Sequence, residues 1–362
     1  MNTLLAGCIA SLVLAAGPVH AIVFPKCYGS PIKSVAAAGV PTEDAADVRL
    51  LSQILLENEA DQGRVAYCLS DAQMTNNKNG LSFGFNQYDL ATNGKAKGVL
   101  VGLLRAARST DPSLALTEAD VATIEAGKLS RTAHDLKAGK GEGLVGLMQR
   151  VNAALGTAEA RKAIDADYAA WLGSTVADFK ERVSGLDDAI GSKSYLESSR
   201  LGRMLMLDYE NFFGAMGNDY KQYLIGKSVT LAGGTIQADA PLSFTDIMRF
   251  SLSTKQGSGS ARDQRAEILR RANNVVKYFV RTQADVGLSD RDSAWLKSDL
   301  KAMLSAGGNE YIKKKLASGE YDALKVLVSQ AEQASSSQSD PGSSPAKPAA
   351  SCSSPASDAP PC

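Results

Sequence analysis

Between Pro41 and Gln333, apolar residues recur at helical spacing with almost no break, and this constrains the fold more than any other feature of the chain. Apolar positions at i, i+3, i+4 and i+7 place one stripe along a 3.6-residue helix. Thr42 followed by Glu43 and Asp44 supplies an N-cap and an acidic first turn. Val48, Leu51 and Leu55, with Leu50 and Ile54 beside them, continue as a stripe, so a helix is expected to about Glu59. Another follows Asn93 and carries Val99, Leu100, Leu103 and Leu104. Further helices are expected to open near Thr117, Glu142, Thr157, Tyr195, Phe244, Ala261 and Ser289, the last with Ser289 and Asp292 spaced as a capping pair. Between Pro112 and Pro341 only Pro241 interrupts, and no repeat of fixed period is present. The expected class is mainly α.

The exception is 64–87. Arg64 to Leu69 has strand character, the following loop is polar and ends in Asn79-Gly80, and Leu81 to Phe85 reads as a second short strand. The order is helix, small hairpin, helix, then many helices.

Charge and histidine content narrow the chemistry. The chain has 362 residues with 39 basic and 39 acidic groups, which argues against binding nucleic acid by neutralising phosphates. Its two histidines are His20 and His134, and His20 falls in a segment expected to be removed. Zinc hydrolases usually draw two or three ligands from histidine, so no metal or other cofactor is expected, and acid–base chemistry falls to carboxylates.

Both ends read as lying outside the fold. Residues 1–21 combine an apolar run with a small-residue site at Val19-His20-Ala21, as in a secretory signal peptide. The apolar stretch follows Cys8, whereas a lipoprotein box requires it to precede the cysteine. No other stretch approaches the roughly 20 apolar residues of a membrane span. The expected destination is periplasmic or extracellular, with a helical domain over 22–333. The tail, 334–362, is rich in Ser, Pro and Ala, lacks large apolar residues and is expected to be disordered. Four cysteines remain after processing. In an exported protein they suggest Cys27–Cys68, pinning the new N-terminus to the body, and Cys352–Cys362 in the tail; the alternative for Cys68 is a buried free thiol.

One stretch stands out: Gly80-Leu81-Ser82-Phe83-Gly84-Phe85-Asn86-Gln87-Tyr88-Asp89-Leu90. It resembles the lysozyme-like superfamily, in particular bacterial and phage proteins with a Gly-Leu-Ser-Phe-Gly-x-x-Gln-x-Asp stretch. The close match covers about 80–93, and the helix–hairpin–helix order extends it to about 43–108. A weaker likeness lies in Leu207-Asp208-Tyr209-Glu210-Asn211-Phe212-Phe213-Gly214 and around Asp263 to Arg271. The resemblance implies a two-lobed helical domain with one small β-hairpin, extended here by additional helices. It also implies a catalytic Glu at a helix end, a second carboxylate and a hydroxyl on the hairpin, and peptidoglycan or a related amino-sugar glycan such as chitosan as substrate.

The residues themselves suit glycan cleavage. A glycosidase needs a protonated carboxylic acid beside the leaving oxygen, best placed where low polarity raises its pKa. Glu59 shares the face of Leu51 and Leu55; Glu57 shares that of Leu50 and Ile54. Periodicity does not separate them, and the shorter reach to the hairpin with the likeness to phage lysozymes favours Glu59. The bland alternative makes both solvated carboxylates at a helix end. Asp71, 12 residues after Glu59, is the second carboxylate by resemblance and otherwise a turn-forming Asp. Ser82 corresponds to the water-placing hydroxyl, or is an alternating strand residue. Gly84 admits close backbone approach to a sugar, or marks a bulge. Gln87 resembles a substrate-binding glutamine, and Tyr88 stacks on sugar or joins the core. Asp89 reads as the cap of the next helix in preference to a catalytic group. Gly139 to Gly143 lacks the spacing of a phosphate loop, a Cys68–His134 thiol site lacks a third member, and Lys313-Lys314-Lys315 reads as a solvated face. The expected activity is a muramidase, with lytic transglycosylase or chitosanase-like chemistry on the same scaffold. The alternative is a non-catalytic secreted module that binds glycan or protein.

Overall fold

The computed structural model describes residues 28–29, 44–59, 65–70, 77–84, 88–136, 140, 143–214, 217–254, 262–280, 287–305 and 310–337. These residues are mainly helical, with three antiparallel two-stranded pairs. The helical body separates into two compact units. One draws its described residues from Met1–Leu186 and Met206–Ala215, the other from Asp187–Leu205 and Met216–Cys362.

The first unit is organised around a long helix, Ala158–Ser184. Its buried residues Ala160, Ile164, Tyr168, Leu172, Val176, Phe179 and Val183 recur every three or four positions, so a single stripe faces the core along its whole length. Thr157 caps its start by accepting from Ala160 N, and Gly185 follows its end. The helix Ala45–Glu59 packs on this long helix and holds Val48, Leu51, Ile54 and Leu55 essentially out of water. Ala96–Thr110 packs on the same long helix through Leu100, Leu103 and Leu104, and also meets Glu118–Glu125 and Val145–Leu155.

The strand region differs in detail from the hairpin expected over 64–87. Val65–Ala66 pairs with Tyr28–Gly29, and Ser82–Phe83 pairs with Tyr88–Asp89. Among the described residues the two expected strand segments meet through a bridge between Ser70 and Ser82, whose amides and carbonyls exchange bonds of 2.7 and 2.9 Å. Tyr88–Asp89, expected to lead into a helix, is itself a strand, because Phe83 and Leu90 find their apolar partners in one shared core with Leu56, Tyr67, Leu69 and Leu100.

In the second unit the expected capping pair is present. Ser289 and Asp292 exchange side-chain and backbone bonds at the start of Asp290–Trp295, and Ser243 with Asp246 does the same for Phe244–Ser253. Asp290–Trp295 runs on through a π turn, Leu296–Leu300, into Lys301–Ser305. Arg262–Val280 packs against Asp322–Ser337, with Tyr321 OH donating to the Ala266 carbonyl at 3.0 Å and Leu324 N donating to Asn273 Oδ1 at 3.1 Å. A hairpin over Val229–Leu231 and Gly234–Ile236 joins this unit. The apolar spacing predicts helix here, and the pairing of Val229 with Ile236 replaces it. Among the described residues no helix is long and apolar enough to cross a membrane.

Candidate functional site

The end of the helix Ala45–Glu59 is fixed by its buried stripe. With Leu51 and Leu55 held against the long helix, the last turn presents Leu56 to the strand core, while Glu57 and Glu59 are half-buried. Asn58 is buried and donates to Asp208 Oδ1 at 2.8 Å. Glu59 Oε1 accepts from Asn211 Nδ2 at 2.8 Å. Asp208 and Asn211 belong to the stretch Leu207 to Gly214, which the sequence had marked as a second, weaker likeness. One turn of the helix Arg200–Phe213 thus grips two consecutive residues at the end of the first helix, and Glu210 between them is ion-paired with Arg182.

Tyr168 joins this carboxylate to the strands. Its phenol is pushed well above its ordinary pKa by burial, Ser52 opposes that shift, and the charge of Glu59 adds to it. The same ring lines a small pocket with Phe83, Gly84, Tyr88, Ile164 and Asp167. Gly84 sits at φ 72°, which lets the chain turn there without a side-chain penalty. Tyr88 stacks obliquely on Phe83, ring centroids 5.5 Å apart, and its hydroxyl donates to Asp167 Oδ2 at 2.7 Å.

Two motif residues have structural partners. Ser82 is 1% exposed and its hydroxyl faces that of Ser70 at 3.3 Å, so it serves the bridge between the strand segments. Asp89 is 6% exposed and gathers backbone donors: Gly80 N at 3.2 and 3.1 Å, Ala91 N at 2.8 Å and Thr92 N at 3.1 Å. It therefore closes the turn 89–92, while the following helix starts only at Ala96 after Lys95. Gly80 has no room for a side chain, because a Cβ there would run into the Arg131 carbonyl and come within 2.9 Å of Ala91 Cβ.

Asp71, Gln87 and Cys27 lie outside the described residues. Cys68 is buried and disulfide-bonded. The strand directly after Cys27 pairs with Val65–Ala66, just before Cys68.

The face of the long helix that meets the strands carries further polar groups. There Tyr67 OH donates to Asp165 Oδ1 at 2.8 Å, and Arg161 lies over the Tyr67 ring, 5.3 Å from its centroid. Burial raises the pKa of the Asp165 carboxyl, with Tyr67 and Arg161 opposing. Burial also raises that of Tyr67, with Asp165 adding to the shift. In sequence, Asp165 and Asp167 look like ordinary solvated helix positions; only the one-residue offset from the buried Ile164 and Tyr168 hints that they border a packed face. Among the described residues no group of His, Cys, Asp and Glu is placed to hold a metal ion. No family model, curated protein or solved structure matches the chain.

Proposed function

We propose that the chain is an exported glycosidase that cleaves peptidoglycan or a related amino-sugar glycan, with Glu59 as general acid. The observation that carries the reading is that the helix ending in Glu59 shares one core with the motif strands: Leu56 packs in the same cluster as Phe83 and Tyr88, and Asn211 holds a Glu59 oxygen. Glu59 is preferred over Glu57 because the Asn211 amide holds one of its oxygens in a fixed orientation. In the reaction Glu59 protonates the oxygen of the departing sugar as the glycosidic bond breaks. Water attacks the anomeric carbon from the opposite face and gives its proton to Asp71, the base that the family resemblance assigns. Ser82, whose hydroxyl lies 3.3 Å from that of Ser70, is the hydroxyl that the family resemblance assigns to placing this water.

The test is digestion of purified peptidoglycan by full-length protein freed of 1–21, with mass analysis of the soluble fragments. Reducing-end fragments are expected, and Glu59→Gln lowers the rate by about 10²–10⁴-fold, the range for loss of a general acid. A Glu59→Gln variant as active as the parent overturns the assignment.

A further inference from the structure

The second unit contains a larger pocket, of about 560 Å³, lined by Asp239, Thr245, Arg249, Arg291, Trp295 and Asp299 among others. This volume lies within the range of small-molecule sites. Four features mark it as built for a ligand.

Thr245 is 3% exposed, and its hydroxyl has no hydrogen-bond partner among the described residues. Buried hydroxyls are almost always satisfied, so an orphan on a pocket wall is a donor waiting for an acceptor. Its own backbone is held rigidly, with Thr245 N donating to Asp292 Oδ1 at 2.8 Å.

Arg291 is locked in place. It donates to the Pro241 carbonyl at 2.6 Å and Ser243 Oγ at 2.8 Å, and it is ion-paired with the buried Asp246. Arg249 makes one hydrogen bond among the described residues, to Asp239 Oδ2 at 3.1 Å, and a guanidinium carries five N–H donors.

The lining is rich in guanidiniums. Arg265 joins Arg249 and Arg291 on the wall, alongside the carboxylates of Asp239 and Asp299, with Arg291 also paired to the buried Asp246. One of those carboxylates, Asp239, is already shared by Arg249 and Arg291, at 3.1 and 3.5 Å.

The fourth feature is the wall. Trp295, Ser298, Asp299 and Met303 come from the segment that contains the π turn Leu296–Leu300. Such turns are rare and recur at functional sites. The Trp295 indole packs edge-on against Phe244, centroids 6.1 Å apart, which fixes its plane, and Leu252 adds a second apolar surface.

We propose that this pocket binds a small organic oxyanion, a carboxylate or phosphate on a flat apolar body. Arg249 and the Thr245 hydroxyl take the oxyanion, and Trp295 with Leu252 takes the body. Guanidinium suits both anions through paired N–H donors.

Trp171 and Trp295 are the only tryptophans in the chain, so full-length Trp171→Phe reports on the pocket alone. Its fluorescence is followed during titration with benzoate, phenyl phosphate and the neutral isostere benzamide. A saturable change with benzoate or phenyl phosphate, absent with benzamide, is expected, and the arm that binds names the oxyanion. Arg249→Gln should weaken binding by about tenfold or more, and Thr245→Val by about threefold, as fits loss of a charged and of a neutral hydrogen bond. Circular dichroism checks that each variant is folded; Arg249→Lys, which keeps charge but loses the fork, serves if Arg249→Gln is not, and should fall between parent and Gln. Benzamide binding as well as the anions, no saturable response to either anion, or folded variants that bind like the parent would each overturn the proposal.

Discussion

Asp89 separates a motif residue that builds the site from one that reacts. Its carboxylate takes three backbone donors, Gly80 N shared between both oxygens, Ala91 N and Thr92 N. Asp89→Ala removes all of these acceptors at once. Gly80 is buried, so its N–H cannot turn to water and bears the full cost of an orphaned buried donor. Ala91 and Thr92 are partly or fully exposed, and water replaces most of what they lose. Taking about 2 kcal/mol for the buried donor and about 1 for each of the others gives a loss of about 4 kcal/mol. Asp89→Asn keeps an acceptor oxygen and loses mainly the charge assistance, about 1 kcal/mol. A chain with two compact units need not unfold in one step, so a single melting temperature is a poor reporter. Native-state hydrogen exchange reads the affected amides directly. The Gly80, Ala91 and Thr92 amides should lose protection in Asp89→Ala, Gly80 most, while helix amides of the second unit keep theirs. Unchanged exchange at Gly80 would refute the reasoning. Loss of glycan cleavage in a folded Asp89→Asn protein with native protection would instead make Asp89 a reacting group.

Two further substitutions test the packing and charge arguments. Gly80→Ala forces a methyl into the Arg131 backbone and should cost at least about 1–3 kcal/mol by overpacking, read as lowered urea resistance of the first unit. Arg150 holds the Asp120 carboxyl below the ordinary carboxylate pKa of 3.8 through paired bonds of 2.9 and 2.6 Å, with the Thr117 cap adding and burial opposing. A carboxylate with a depressed folded pKa stabilises the fold above 3.8, and that stability is lost as pH falls through the folded value. Arg150→Gln should therefore lower stability slightly at neutral pH, with the gap to wild type closing below about pH 4 in an acid titration. The pair is partly exposed, so the gap is small and shrinks with salt. A gap that widens on acidification contradicts the assignment.

Local rules written in the sequence determined much of this protein. Helix positions follow from apolar spacing, as in Ile164, Tyr168, Leu172 and Val176, because a stripe that must leave water dictates which face turns inward. Caps follow from single residues, as at Thr117, Thr157 and Ser289, because a hydroxyl two or three positions ahead satisfies an otherwise orphaned amide. The hairpin Val229–Ile236 was not legible, because helical periodicity on both sides outweighs the short Ala232-Gly233 turn. What the sequence left undecided was which distant groups meet. Nothing local in Glu59 predicts Asn211, 152 positions away, or in Tyr67 predicts Asp165. Nor does anything local in Ser82 predict that its hydroxyl faces that of Ser70. Those choices are made by packing. Once the buried stripes dock, each polar group beside them must find the partner that geometry supplies or bear the cost of desolvation. The tertiary structure alone decides which partner that is.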